Sequence, residues 1–155
     1  MKKTVVIIFI LAILVILLAL AALYLRPLGN STPKKILSVG SQTFDVEIAD
    51  STSSRTQGLS GRDSLGEKEG LLFIFPSAGN YGFWMKDMNF PIDIVWLNGG
   101  RVAGFSENLQ PEPGKSVFAL PIYYPPANVD MVLEINAGAV AKYGLQAGDT
   151  VILQQ

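Results

Sequence analysis

Apolar and polar positions divide the chain into two unequal parts. From Thr4 to Leu25 the sequence TVVIIFILAILVILLALAALYL runs for 22 positions without a charge; as a helix it would extend roughly 33 Å at about 1.5 Å per residue, the thickness of a bilayer core. The run is apolar all round, and a protein of this size could not enclose such a helix, so residues 1–25 are read as an N-terminal transmembrane anchor. A secretory signal peptide is the competing reading, because Lys2 and Lys3 make a basic start and Ala19-Leu20-Ala21 resembles a cleavage site. Leu23, Tyr24 and Leu25 continue the apolar run past that site, which favours an uncleaved anchor; cleavage would give a secreted domain.

Residues 26–35, RPLGNSTPKK, have the composition of a short linker. Beyond it the pattern becomes that of strands. Ile36 to Val39 and Thr43 to Ala49 flank a Gly40-Ser41-Gln42 turn, and Phe44, Val46 and Ile48 alternate with polar neighbours. The Ser and Thr residues between Asp50 and Gly61 predict a short capped helix ended by glycine. Leu71 to Phe75 reads as a strand buried on both faces, with Ser77 to Asn80 turning the chain. Phe83 to Asp87 and Ile92 to Leu97 follow as two strands, and Asn98-Gly99-Gly100 folds the second into a hairpin with Arg101 to Phe105. From Ser106 to Asn128 five prolines predict a long loop with a short strand near Val117 to Leu120. Met131 to Ile135, a helix over Ala137 to Tyr143 and a last strand over Thr150 to Leu153 complete the series. Residues 36–155 are therefore expected to form one mainly β (α+β) domain, a compact twisted sheet or partly closed barrel with one or two short helices.

Charge and composition narrow the chemistry. From Ile36 onward seven Lys and Arg face thirteen Asp and Glu, a net charge of −6, which excludes nucleic acid as an expected partner. The flanks of the apolar run carry basic residues on both sides, but a three-residue N-terminal flank is laid out like a signal anchor, so the domain is expected outside the cytoplasm, tethered to the cell membrane. Cysteine and histidine are both absent. Disulfides, thiol nucleophiles, Ser-His-Asp triads and His/Cys zinc sites are excluded within the chain, and no cofactor or metal is expected.

The densest chemistry lies in Gly82 to Leu97, GFWMKDMNFPIDIVWL. A period of two places Trp84 and Lys86 on one face, and Asp93 falls in a strand apolar on both faces, so it needs a cation or several donors. Lys86, Arg55 and Arg62 are the candidate cations, and an internal ion pair fixing strand register is the structural alternative. Trp96 is expected in the core, whereas Trp84, beside Gly82 and near Gly79 and the Pro-rich loop, suits a rim or stacking role. Arg55, Arg62 and Lys86 together could receive a carboxylate, a phosphate or a sugar acid.

The blocks Arg55-Thr-Gln-Gly58-Leu59-Ser60-Gly61-Arg62, Gly70-Leu-Leu-Phe-Ile-Phe75, Phe83-Trp84-Met85-Lys86 and Pro91-Ile-Asp93-Ile-Val95, with Glu134, Ala137-Gly138 and Gly148-Asp149, resemble the DUF192 family, also called UPF0127, over about residues 42 to 153. The resemblance implies a compact, mainly β domain, often exported or membrane-anchored, with no established activity. Asp87-Met88 stands where that family more often has Asn-Thr, and Leu71 where it often has Met.

Together these readings suggest a membrane-anchored extracytoplasmic module that binds an envelope glycan, a small anion or a partner protein, with Arg55, Arg62, Trp84, Lys86 and Asp93 at or behind the site. Two other readings stay open. One is an enzyme acting on an envelope polymer with Asp93 and Glu107 as acid and base. The other is a scaffold in which a buried charge serves stability alone.

Overall fold

The computed structural model describes residues 12–17 and 34–154. Residues 12–17 are helical. The remainder of the expected anchor and nearly all of the linker lie outside the described residues, and among those described no helix is long and apolar enough to cross a membrane. Contacts divide the chain into two compact units, Met1–Ser31 and Thr32–Gln155.

The larger unit is one curled sheet. Its strands are β1 (Lys35–Val39), β2 (Gln42–Ala49), β3 (Glu69–Gly79), β4 (Ile92–Asn98), β5 (Arg101–Leu109), β6 (Val129–Asn136) and β7 (Val151–Leu153), in the order β5-β4-β6-β3-β2-β1-β7. All pairings are antiparallel except β2 with β3. A parallel pair needs a crossover, and helix α1 (Thr52–Gln57) lies within it. The second helix, α2 (Ala139–Tyr143), follows β6. The two edge strands meet at one corner, where Arg101 bridges Thr150 and the Val102 amide donates to the Asp149 carbonyl at 3.0 Å. The result is a half-barrel.

Curling gives the sheet two apolar faces. Leu37, Val39, Phe44, Leu72, Val95 and Leu133 pack on the face that α2 covers. Leu59, Phe73, Met85, Ile94, Trp96 and Val132 pack on the other. β4 contributes to both because its side chains alternate between two buried faces, and every residue from Ile92 to Leu97 is buried. This accounts for a strand with no polar stripe.

Three local expectations differ from the structure. Residues 84–88 are not a strand. Phe83 makes a single bridge with Tyr123, after which the chain turns, with Asp87 in the left-handed region at φ 53°. Met85 and Met88 both point inward across that turn, so the apolar pattern there has a spacing of three, and Trp84 and Lys86 do not share a strand face. β3 continues through Pro76 to Gly79, because the pairing with β6 shifts register between Ile74 and Gly79 and the proline falls in that irregular stretch. Val117–Ala119 forms a single 3-10 turn, not a strand, with the Phe118 ring fully in solvent; β-type side chains do not make a strand where no partner strand lies alongside.

Candidate functional site

α1 forms because Ser51 and Ser54 cap it reciprocally: the Ser51 hydroxyl accepts from the Ser54 amide and the Ser54 hydroxyl from the Ser51 amide, both at 3.0 Å. The helix stops at Gly58, whose φ of 52° and ψ of −137° are open only to glycine. Its Cα lies beside the Phe73 ring, where an added Cβ would sit 3.4 Å from Cζ. Gly58→Ala is therefore expected to cost about 1 to 3 kcal/mol, read as a lowered melting temperature. The chain then docks on the turn after Phe83: the Ser60 hydroxyl donates to the Lys86 carbonyl and the Gly61 amide to the Asp87 carbonyl, each at 2.8 Å.

Between α1 and this turn lies a cavity of about 280 Å³. Its apolar wall is aromatic. Phe83 is the hub, meeting Phe73 and Trp96 edge-on at 4.9 and 5.5 Å, while Phe75 stacks on Tyr81 at 3.7 Å. Phe73, Phe75, Tyr81 and Phe83 line the space, and Trp84, 47% exposed, stands at its rim. Gly82 lets this segment lie close to the Pro-rich loop, since a Cβ there would come within 2.7 Å of Ile122.

Arg55 also lines the cavity, held on the last turn of α1. Its Nη1 donates to the Asp50 carbonyl and, at 2.9 Å, to the Ile74 carbonyl, and its guanidinium lies 5.4 Å from the centre of the Phe75 ring. Among the described residues no carboxylate pairs with it. The cation is positioned by neutral groups and keeps its charge available.

Glu134 reaches the same cavity from the sheet, and sequence reasoning missed it. On β6 it pairs laterally with Leu71 of β3 and Ile94 of β4, so a carboxyl lies between two apolar side chains on a common face. It is 5% exposed, and its Oε2 is buried without a hydrogen-bond partner among the described residues. Burial pushes its pKa up to about 8, against a smaller opposing pull from Arg62. In the sequence Glu134 was one of several polar residues in VDMVLEIN, beside Asp130 and Asn136, and one of the residues that carry the family resemblance, and neither placed it in a cavity.

The remaining expected site residues are dispersed. Arg62 forks onto Glu47 at 2.7 and 2.8 Å and faces the cavity only through its charge; that pairing holds its own pKa above the usual guanidinium value. Lys86 pairs with Asp87 at 2.9 Å and borders a separate hollow of about 80 Å³ with Glu112 and Lys115. Asp93 is fully buried on the α2 face, away from the cavity, and pairs with no cation among the described residues. Its Oδ1 accepts from the Asn108 amide at 2.7 Å and its Oδ2 from the Val140 amide at 3.0 Å, so it binds the kinked end of β5 to the first turn of α2. Glu107 is exposed on β5 and does not line the cavity, so it and Asp93 do not form an acid–base pair there. Among the described residues no group of three or more His, Cys, Asp or Glu is placed to hold a metal ion.

The DUF192 family model, described as an uncharacterized ACR, matches residues 35–153, the whole of the sheet and both helices. The chain belongs to DUF192. Two solved structures are similar to this DUF192 domain. A candidate transcription regulator from Sinorhizobium meliloti 1021 is 28% identical, with a TM-score of 0.71 over 79% of this chain and 95% of that one. A protein of unknown function from Novosphingobium aromaticivorans DSM 12444 is 26% identical, with a TM-score of 0.72 over 82% of this chain and 89% of that one. No curated protein matches the sequence. Within DUF192, then, the likeness extends through the half-barrel and carries no assigned chemistry with it.

Proposed function

We propose that this chain is a membrane-anchored module, held outside the cytoplasm, whose cavity binds a small anionic component of the cell envelope. The observation that carries the reading is Arg55: a guanidinium fixed by two carbonyls, without an acid partner among the described residues, at a cavity walled by aromatic rings. Such a cation recognises a carboxylate or phosphate, and the half-exposed Trp84 offers a flat face to an apolar or sugar-ring surface beside it. A volume of about 280 Å³ lies just below the usual range of ligand sites, which begins near 300 Å³, and so favours a single small unit over a polymer segment. The uncharged run from Thr4 to Leu25 and the short linker that follows support a domain kept near a membrane surface.

The test is a thermal-shift and calorimetric screen of the full chain in nonionic detergent against acetate, 3-methylbutanoate, inorganic phosphate and glucuronate. A ligand at about a hundred times its Kd should stabilise the domain by about 2.7 kcal/mol. Arg55→Ala is expected to weaken the best anion about ten- to a hundredfold and Trp84→Ala about tenfold, while Lys86→Ala, outside the cavity, leaves it unchanged. Equal affinity in Arg55→Ala and the parent would overturn the assignment of this cavity.

A further inference from the structure

We infer that the domain docks on the lipid surface of the membrane that anchors it, through an uncharged apolar patch made by Trp84, Val117, Phe118, Ile122 and Tyr124. The inference rests on the anchor half of the preceding reading and makes no use of what the cavity binds.

The patch is assembled by pairing. Phe83 and Tyr123 exchange both backbone hydrogen bonds, at 2.9 and 2.8 Å, as an antiparallel bridge. Side chains alternate along both segments of such a pair, so Phe83 and Tyr123 pack on the aromatic core while Trp84 and Ile122 stand opposite each other on the outer side. Tyr124 joins them opposite Gly82, where an added Cβ would meet Cγ2 of Ile122 at 2.7 Å and Cε1 of Tyr124 at 3.0 Å. All three outer side chains are about half exposed. Val117 borders the same small hollow as Met85 and Lys86, which sets its 3-10 turn beside the residues after Trp84, and Phe118 projects from that turn wholly into solvent.

Apart from Ile36 and Ile152, these are the exposed large apolar side chains of the described half-barrel. Single exposed apolar residues need no partner, but a cluster drawn from two paired segments marks an interaction face. Its recognition is apolar. No Asp, Glu, Lys or Arg occurs from Ser116 to Val129, although the chain from Ile36 onward carries a net −6, and Lys86 and Lys115 at the border are paired with Asp87 and Glu112. The Trp84 indole N–H and the Tyr124 hydroxyl have no hydrogen-bond partner among the described residues. Rings with an apolar body and a wet polar tip are those that collect at a bilayer interface. A lone ring projecting from a turn is also better enclosed by fluid acyl chains than by a flat protein face. Proximity favours the same partner. The uncharged run ends at Leu25 and β1 begins at Lys35, a tether of at most about 36 Å when fully extended. Docking is then intramolecular, and a contact too weak to hold a free protein becomes populated.

The experiment reconstitutes the full chain in phosphatidylcholine vesicles, with and without bromine on the acyl chains near the headgroup, and reads tryptophan emission. Trp84 and the buried Trp96 are the only indoles in the chain, so the signal reports the domain. Bromine is expected to quench the parent chain equally at low and high salt. Trp84→Phe should abolish that quenching. Phe118→Asp, which replaces a ring standing in solvent and so leaves the fold intact, should lower the ratio of docked to undocked chain about ten- to a hundredfold. An unquenched parent, quenching that survives Trp84→Phe or equals the parent's in Phe118→Asp, or loss of quenching in salt each overturns the apolar docking. Self-association in detergent that Phe118→Asp abolishes, without quenching in vesicles, gives the face to a second copy instead. Release of the chain from the vesicles by alkaline carbonate overturns the anchor and this inference with it, whereas retention without quenching overturns the docking alone.

Discussion

Replacing Asp93 with Ala is expected to remove about 3 to 5 kcal/mol of stability and lower the melting temperature by roughly 10 to 20 °C. The side chain is fully buried and both oxygens accept backbone N–H groups, from Asn108 at 2.7 Å and Val140 at 3.0 Å. A hydrogen bond to a charged acceptor contributes about 1.5 to 3 kcal/mol, and its removal here also strands the buried Val140 amide without an acceptor. The Val140 amide belongs to the first turn of α2, which has no side-chain cap of its own, so Asp93 supplies from a neighbouring strand what a local Ser or Asp would otherwise provide. Asn108 sits at φ 53°, and its amide is held in that conformation by the same carboxylate. Asp93→Asn keeps one acceptor and should lose about half as much. Neither change should alter affinity at the cavity. Urea unfolding of both variants measures the effect, and a loss below about 1 kcal/mol in Asp93→Ala would show that the two amides find other partners.

The second large effect is a pH dependence. Glu134 has a folded pKa of about 8 against an ordinary 4.5, so the folded chain holds a proton there that the unfolded chain has given up. Its effect on stability is therefore most favourable below pH 4.5, falls as pH rises through the window between the two values, and levels off above about 8. At about 1.4 kcal/mol per pH unit the whole fall amounts to about 4 to 5 kcal/mol. Glu134→Gln removes the titration. The stability difference between the variant and the parent should grow in the variant's favour from roughly pH 5 to pH 8 and then stay constant, whatever fixed offset the amide introduces. Urea midpoints across that range measure it, and a difference independent of pH would mean that Glu134 is ionised in the folded chain.

Asp93 and Glu134 also mark where the sequence could and could not be read. The architecture was legible because the strands carry their own signals: Ile92 to Leu97 is apolar on both faces apart from Asp93, and Asn98-Gly99-Gly100 specifies the hairpin that follows. The membership of Trp84 in a rim and of Trp96 in the core followed from their neighbours. What each carboxylate meets did not follow. Asp93 is answered by main-chain amides on β5 and α2, and an amide has no side-chain identity to recognise at a distance of 47 positions. Glu134 becomes a cavity group only because β6 lies between β3 and β4, a strand order that no local pattern encodes. The turn at residues 84–88 was misread for a related reason: Met85 and Met88 are buried by the α1 loop above them, and alternation presumes a neighbouring strand that is not there. Of the cations that looked alike on paper, partners decided the outcome. Arg62 and Lys86 have acids within reach, and Arg55 has carbonyls.

The placement of β7 has a consequence for synthesis. Its three residues pair with β1, Leu37 opposite Leu153, and the segment just before it bridges the start of β5, so the seventh strand lies between the first and the fifth. Until residues 151–153 leave the ribosome, β1 has an open edge and Leu37 and Val39 lack part of their cover. The domain therefore closes only once β7 has emerged, and a chain truncated ahead of Val151 would be long enough to build six strands yet unable to finish the half-barrel.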